Sequence, residues 1–313
     1  MGSAGERKRA SRIIIGTRGS VLARWQTSSV AGALRRAHPD LEVEERIIVT
    51  QGDLVTDRPL AGEGGKGLWV KEIEAELLAG AIDLAVHSMK DVPGELAPGL
   101  ALVAIPRRAD VRDAVVSRSG SELARLPLAA RVGTTSLRRG FQLRGLRPDL
   151  EVVDLRGNLD TRLGKVAQGV VDAAILACAG LDRLGLADRI SERLPVERML
   201  PAVGQGALAL EARADDEEMR SMCAALNDRE TAIAVGAERA LLAQLGATCR
   251  TPVAGYALLR GDKVVLEARI GSADGTKVLA DQAVGAWRQA EEVGRGLAEA
   301  LLSRGAASRL AGG

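Results

Sequence analysis

Short runs of β-branched and aliphatic residues recur through residue 200, each followed by a longer stretch with helical spacing. Ile13-Ile14-Ile15, residues 44–49, residues 82–86, Val115-Val116, Val152-Val153 and residues 173–176 are such runs, and each predicts a strand. Strands alternating with helices predict parallel, doubly wound α/β sheets covered by helices on both faces. Two Pro-containing segments, residues 105–110 and 200–206, interrupt the alternation and read as paired crossovers between two lobes. After Asn227 the pattern changes to a helix ending near Gly246, strand-like runs at 253–259, 264–270 and 277–284, and an amphipathic helix over 288–302. Strands in a meander followed by a helix predict a smaller α+β C-terminal domain. The expected division is residues 1–106 with 201–226 as one lobe, 107–200 as the second, and 227–313 as the C-terminal domain.

Composition narrows the possibilities. The chain has 313 residues, 46% of them hydrophobic but only 2% aromatic, so its cores must be built from Ala, Val, Leu and Ile. The 43 Lys and Arg nearly balance 41 Asp and Glu, which gives no whole-protein field of the kind nucleic-acid binders show. Any anion site must come from local clustering. Three cysteines at irregular spacing, Cys178, Cys223 and Cys249, fit neither a disulfide framework nor a zinc site, and no metal is expected. The apolar stretch after Arg7, Lys8 and Arg9 is too short for a signal peptide, and the apolar run at 173–181 is too short to span a bilayer. These features predict a soluble cytoplasmic protein with no membrane or nucleic-acid partner.

Gly16-Thr17-Arg18-Gly19-Ser20 and Gly133-Thr134-Thr135-Ser136-Leu137-Arg138 each follow a strand and open a helix. Free N–H groups, hydroxyls and an adjacent Arg at a helix start suit an anion, although N-capping by Ser20 and Ser136 is the simpler reading. The densest basic stretch holds Arg138, Arg139, Arg144, Arg147, Arg156, Arg162 and Lys165. Guanidinium groups pair bidentately with carboxylates, so Arg138, Arg139, Arg156 and Arg162 are candidates for a ligand with several carboxylates. Arg144 and Arg147 read as a solvated helix end. Lys90 and Asp91 follow the apolar run at 82–86, at the carboxyl end of a strand, where ligands bind in open α/β sheets. Asp91 there can stabilise a developing cation and move a proton, but spacing alone favours a structural turn. Residues 62–69 are glycine-rich without the Lys-Ser/Thr ending of a phosphate loop, and read as a mobile flap that carries Lys66. Cys249, in a loop beside Arg250, is placed to ionise, whereas Cys178, within an apolar strand, and Cys223, on a helix, read as core residues.

Taken together, Gly-Thr-Arg-Gly-Ser at 16–20, Gly-Gly-Lys-Gly-Leu-Trp-Val-Lys-Glu at 64–72, His-Ser-Met-Lys-Asp-Val-Pro at 87–93, Gly-Thr-Thr-Ser-Leu-Arg-Arg at 133–139, Leu-Arg-Gly-Asn at 155–158 and Leu-Pro-Ala-Val-Gly-Gln-Gly-Ala at 200–207 resemble porphobilinogen deaminases. The resemblance implies two lobes similar to those of periplasmic binding proteins, a third domain, and a monomer. It implies a transferase that joins four porphobilinogen molecules head to tail and releases hydroxymethylbilane, the chain growing on a dipyrromethane cofactor in thioether linkage to Cys249. Each addition loses ammonia to give an azafulvene, which the free α-carbon of the chain attacks. Asp91 matches the family's catalytic aspartate. Lys90, Thr134, Ser136, Arg138, Arg139 and Arg162 match cofactor-binding positions, and Arg18, Ser20, Arg156, Arg183 and Lys66 match substrate-binding positions.

The chain departs from the family pattern at Ala247-Thr248, where Gly-Gly is common, at Trp69, where Phe is common, and at Gly19, where Gln is common. Thr248 does not readily take the positive φ that glycine allows, so the loop before Cys249 is expected to differ. A two-lobed anion-binding protein is the main alternative; Cys249 together with Asp91 distinguishes the two. A phosphoribosyl transferase lacks its acidic diphosphate-binding loop here.

Overall fold

The computed structural model describes residues 12–54, 70–248, 251–272 and 274–310. The chain begins with β1 (Arg12–Thr17), α1 (Val21–Ala37), β2 (Glu42–Ile47), a short α2 (Gln51–Leu54), α3 (Lys71–Leu78), β3 (Leu84–Ser88) and β4 (Leu100–Ala104). It then crosses to β5 (Asp113–Ser117), β6 (Arg131–Gly133), α4 (Leu137–Leu146), β7 (Glu151–Val153), α5 (Leu159–Ala167), β8 (Ala173–Ala177), α6 (Cys178–Arg183) and β9 (Glu192–Leu194). It returns as β10 (Leu208–Arg213) and α7 (Glu217–Cys223), and ends in α8 (Arg229–Gln244), β11 (Val253–Arg260), β12 (Lys263–Gly271), β13 (Val278–Ala286) and α9 (Ala290–Ser303).

The first sheet has the order β2-β1-β3-β10-β4 and the second β7-β6-β8-β5-β9. These are the same topology. In each sheet the first three strands are parallel, as the βαβ pattern predicts, and the fourth runs antiparallel to both neighbours. The expectation of purely parallel sheets is therefore corrected to mixed ones. The reversed strands, β5 and β10, are those reached through the two Pro-containing segments rather than through a helical crossover, and only the helical crossover imposes parallel direction.

Local sequence explains the helix starts that matter later. The Ser20 hydroxyl accepts from Ala23 N at 3.3 Å to cap α1, and the Ser136 hydroxyl accepts from Arg139 N at 3.4 Å to cap α4. Asp228 caps α8 by accepting from Thr231 N at 2.9 Å. The cores are aliphatic, as the composition requires: Ile13, Ile15, Leu34, Leu84 and Leu210 under the first sheet, Val115, Val132 and Ile175 on one face of the second with Ala114, Val116 and Leu176 on the other. Leu241, Leu266, Ile270, Leu297 and Leu301 join α8 and α9 to the antiparallel third sheet, order β11-β12-β13. Cys178 is not in a strand, as the apolar run suggested, but opens α6; both it and Cys223 are buried, as expected of core residues.

Phe141, the one phenylalanine, is fully buried on α4 and lies against β12, joining the second lobe to the third sheet. The contact needs Gly271, because a Cβ there would fall 2.2 Å from the ring. Neither a rigid ring nor the strand backbone can yield cheaply in a close-packed interior. Gly271→Ala is expected to lower unfolding stability by about 1–3 kcal/mol, measured by urea unfolding; an unchanged midpoint contradicts the tight joint.

Candidate functional site

The two crossovers run side by side and meet the third domain at one buried carboxylate. Glu238 on α8 has no exposure and accepts from Arg108 Nη1 and Nη2 at 2.6 and 3.1 Å, from Gly204 N at 2.6 Å and from Ala257 N at 2.8 Å. Arg108 also donates from Nε to Gln205 O at 2.7 Å. One acceptor thus ties the first crossover, the second crossover, α8 and β11 together. Gln205 carries the connection onward, donating from Nε2 to Val111 O at 2.7 Å and to Asp113 Oδ1 at 3.1 Å.

Asp113 begins β5 with no exposure, and Arg138 and Arg139 converge on it. Arg138 donates from Nη1 to Oδ2 at 2.8 Å and from Nη2 to Oδ1 at 3.2 Å, while Arg139 donates to Oδ1 from Nε at 3.0 Å and from Nη2 at 2.7 Å. Burial alone would raise the Asp113 pKa, but the two guanidinium groups hold it well below the usual carboxylate range. Arg138 also donates to Leu200 O at 2.7 Å. Sequence reading took Arg138 and Arg139 as ligand-facing; much of their donor capacity is committed to Asp113. Arg138 nevertheless keeps a buried Nε with no hydrogen-bond partner among the described residues.

Around this pair lie more cations than local carboxylates can neutralise. Lys90 and Asp91 belong to the short turn Met89–Asp91 at the carboxyl end of β3. The Lys90 ammonium is lowered to about 8, by burial first and then by Arg139, against the pull of Asp91 and Asp113. Arg162 on α5 is lowered to about 10 by burial and by Arg139, with Asp91 opposing, and its Nε is also buried without a partner among the described residues. Arg183, at the end of α6, is lowered to about 10 by burial alone and donates to Gly206 O at 2.8 Å. Lys90, Arg138, Arg139 and Arg162, the two middle ones buried and the other two partly so, therefore sense the charge of only two carboxylates, Asp91 and Asp113, and Arg183, also partly buried, senses neither. Lys90 and Asp91 of the first lobe and Arg139 and Arg162 of the second are close enough to influence one another's charge.

Other sequence candidates take different places. Thr134 is buried, and its hydroxyl accepts from Ser136 N at 3.1 Å, so both hydroxyls shape the start of α4 as well as lining it. Arg156 is partly exposed, 4.0 Å from Asp154. Arg18 and Ser20 stand at the start of α1, at the carboxyl end of β1. Arg147, read as a helix-end residue, caps α4 and grips Asp149 at 2.7 and 2.6 Å. Lys66, Trp69 and Cys249 lie outside the described residues. On the near side of Cys249, the left-handed residue is Gly246, φ 61°, and Thr248 has no positive φ. Thr248 N donates to Thr251 Oγ1 at 3.0 Å, and Thr251 N donates back to Thr248 O at 3.0 Å, so the turn does not need the common Gly-Gly. Burial pushes the Cys178 and Cys223 thiols up to about 12, which makes both inert as nucleophiles at neutral pH.

Sequence reasoning missed Arg108, Asp113, Gln205 and Glu238. The visible signal for Asp113 was a carboxylate inside the apolar run Asp113-Ala114-Val115-Val116, because a charge buried in a strand needs a partner. No comparable signal linked Arg108 to Glu238, which are far apart in the chain.

A family model described as "Porphobilinogen deaminase, dipyromethane cofactor binding domain" matches residues 13–221, and one described as "Porphobilinogen deaminase, C-terminal domain" matches residues 232–303. A porphobilinogen deaminase of Roseiflexus sp. (strain RS-1) is 53% identical over 302 residues, covering 96% of this chain and 99% of that one. That of Syntrophus aciditrophicus (strain SB) is 50% identical over 291 residues, covering 93% and 95%. Among solved structures, the periplasmic VFT2 domain of Bordetella pertussis BvgS is similar at 18% identity with a TM-score of 0.43, over 69% of this chain and 86% of that one.

The Lys90 environment has a measurable signature. A lysine with a depressed folded value binds fewer protons than the unfolded chain between about 8 and 10.5, so the stability cost of its buried charge is full below about pH 8 and fades as pH rises. In ligand-free protein, Lys90→Met is expected to raise the Tm at pH 7 by a few degrees, the gain shrinking as pH rises through about 8. A Tm difference that is constant from pH 7 to 10 contradicts this.

Proposed function

The chain belongs to the porphobilinogen deaminase family, and on that premise we propose that its cleft joins four porphobilinogen molecules head to tail and releases hydroxymethylbilane. The observation that carries the site assignment is the excess of buried and partly buried cations over carboxylates, which suits a ligand bearing several carboxylates. Burying a cation without a counter-charge is costly, and substrate and cofactor arms supply the missing charge. The family's dipyrromethane cofactor fits the residues present: the buried Nε atoms of Arg138 and Arg162, without a partner among the described residues, are donors in want of an acceptor.

Lys90, Thr134, Ser136, Arg138, Arg139 and Arg162 would hold that cofactor, with Cys249 as the point of covalent attachment. When bound, it supplies a tethered pyrrole whose free α-carbon is the nucleophile. Arg18, Ser20, Arg156, Arg183 and Lys66 would orient the incoming porphobilinogen by its acetate and propionate arms. Such charge-assisted hydrogen bonds contribute roughly 1.5–3 kcal/mol each where water is partly excluded. Asp91, at the strand end and within the field of Lys90 and Arg162, would stabilise the positive charge that develops on pyrrole nitrogen as ammonia leaves. It would then assist removal of the α-proton after the carbon–carbon bond forms.

The division into residues 1–106 with 201–226, 107–200 and 227–313 matches this separation of labour: Asp91 in the first, the arginine cluster in the second, Cys249 in the third. A monomer working in the cytoplasm, without a nucleic-acid partner, completes the reading. Among the described residues no helix is long and apolar enough to cross a membrane.

Asp91→Asn keeps the shape of the side chain and removes its charge. It is expected to fold and to lose nearly all turnover of porphobilinogen, followed by ammonia release. Turnover close to that of the unaltered protein contradicts the role given to Asp91.

A further inference from the structure

Two neighbouring side chains tie the end of α6 to both crossovers. Arg183, the last residue of α6, donates from Nη2 to Gly206 O of the second crossover at 2.8 Å, and the same carbonyl accepts from Ala109 N of the first at 3.1 Å. Asp182, one residue earlier, accepts from Arg193 on β9, with Nη2 donating to Oδ1 at 2.6 Å and Nη1 to Oδ2 at 2.8 Å. Arg193 Nη1 donates at 2.9 Å to Asp110 Oδ2 in the first crossover as well. Asp110 is held in turn by Arg112, which donates to it from its backbone N at 2.9 Å and from Nη2 at 2.7 Å. At the other end of α6, Cys178 N donates to Arg112 O at 3.0 Å.

α6 has six residues and no side-chain cap at its start, and so short a helix does not hold its own direction in water. Successive helix residues point to different sides, which is why Asp182 and Arg183 reach separate partners. Among the described residues Arg193 is the one side chain that donates to Asp182. A forked guanidinium–carboxylate pair fixes orientation as well as distance. The Arg193 and Asp182 side chains are 27% and 33% exposed, so the pair contributes little to stability; what it supplies is direction. Gly206 O is a neutral acceptor and a carboxylate is a stronger one, so Arg183 stays available to a ligand.

We propose that Arg193 is a positioning residue for substrate binding: it joins Asp182 to Asp110, holds the end of α6 against the first crossover, and so sets where Arg183 meets an acetate or propionate arm of porphobilinogen. This role rests on the substrate-binding role proposed for Arg183. Arg193 acts through Asp182 and takes no part in the chemical step, so its loss weakens the binding of substrate more than it slows turnover.

Steady-state kinetics of four variants test it: Arg193→Gln, Asp182→Asn, Arg183→Gln, and Arg193→Gln combined with Arg183→Gln. Arg193→Gln and the near-isosteric Asp182→Asn are each expected to raise KM for porphobilinogen about five- to ten-fold, with kcat changed less than about two-fold and the dipyrromethane mass still present. Arg183→Gln is expected to raise KM at least as much. Because Arg193 acts through Arg183, the combined variant is expected to have the KM of Arg183→Gln alone. The positioning role is overturned, with the proposed function left standing, if Arg183→Gln raises KM while Arg193→Gln or Asp182→Asn does not, or if the two effects multiply in the combined variant. An unchanged KM in Arg183→Gln, or an unaltered protein that does not consume porphobilinogen, would instead overturn the reading of Arg183 or of the whole site, and the positioning role with it.

Discussion

Asp113 accepts hydrogen bonds from Arg138, Arg139 and Gln205 at a point where no water reaches it, and the geometry of the cleft depends on that contact. Two guanidinium groups side by side repel, and only a carboxylate between them lets both stay buried and charged. Removing one member of such an arrangement typically costs about 3–5 kcal/mol, because the others are left unpaired. Through Gln205 and Arg108 the same network reaches Glu238, so the arginine cluster of the second lobe, both crossovers and the third domain share one continuous set of polar contacts. Such a joint between two lobes defines how they can move relative to each other, since the crossovers are the covalent links between them.

The network also explains why so many cations are buried near one another. Asp113 neutralises part of the cluster permanently, which fixes the direction of Arg138 and Arg139, while Lys90, Arg162 and Arg183 remain under-compensated. A site that tolerates unfavourable burial in the free protein is arranged for a ligand of opposite charge, which recovers the desolvation cost when it binds. The chemistry fits that electrostatic frame. Elongating a polycarboxylate chain requires a cleft that attracts every arm, and in the proposed reaction Asp91 would be the anionic group beside the positive charge on a pyrrole.

Much of this was legible in the sequence. The βαβ alternation, the two Pro-containing crossovers and the closing meander with its helix correspond to observed elements, and Ser20 and Ser136 cap the helices they were expected to open. Strand direction was not legible for β5 and β10, because period-two hydrophobicity carries no polarity and both strands enter by extended crossovers. The run at 173–181 hid the boundary between β8 and α6, since a buried strand and a buried helix turn are equally apolar. Of the arginines read as a cluster, Arg138, Arg139 and Arg162 lie near one another, while Arg147 turns to Asp149. Their division between Asp113 and a ligand depends on pairing across distant parts of the chain, as does the pair of Arg108 with Glu238, and no local pattern reveals it.

The central claim is that the product grows while tethered to this chain, and the intact mass of the denatured protein tests it most directly. Measured as purified and after incubation with porphobilinogen, with Cys249→Ser in parallel, the unaltered protein is predicted to carry an added mass of two pyrrole units, with transient further pyrrole increments under substrate, and the variant to carry none. A folded protein whose mass equals that of the bare polypeptide in both conditions would contradict the tethered mechanism and leave a two-lobed binder of polycarboxylates.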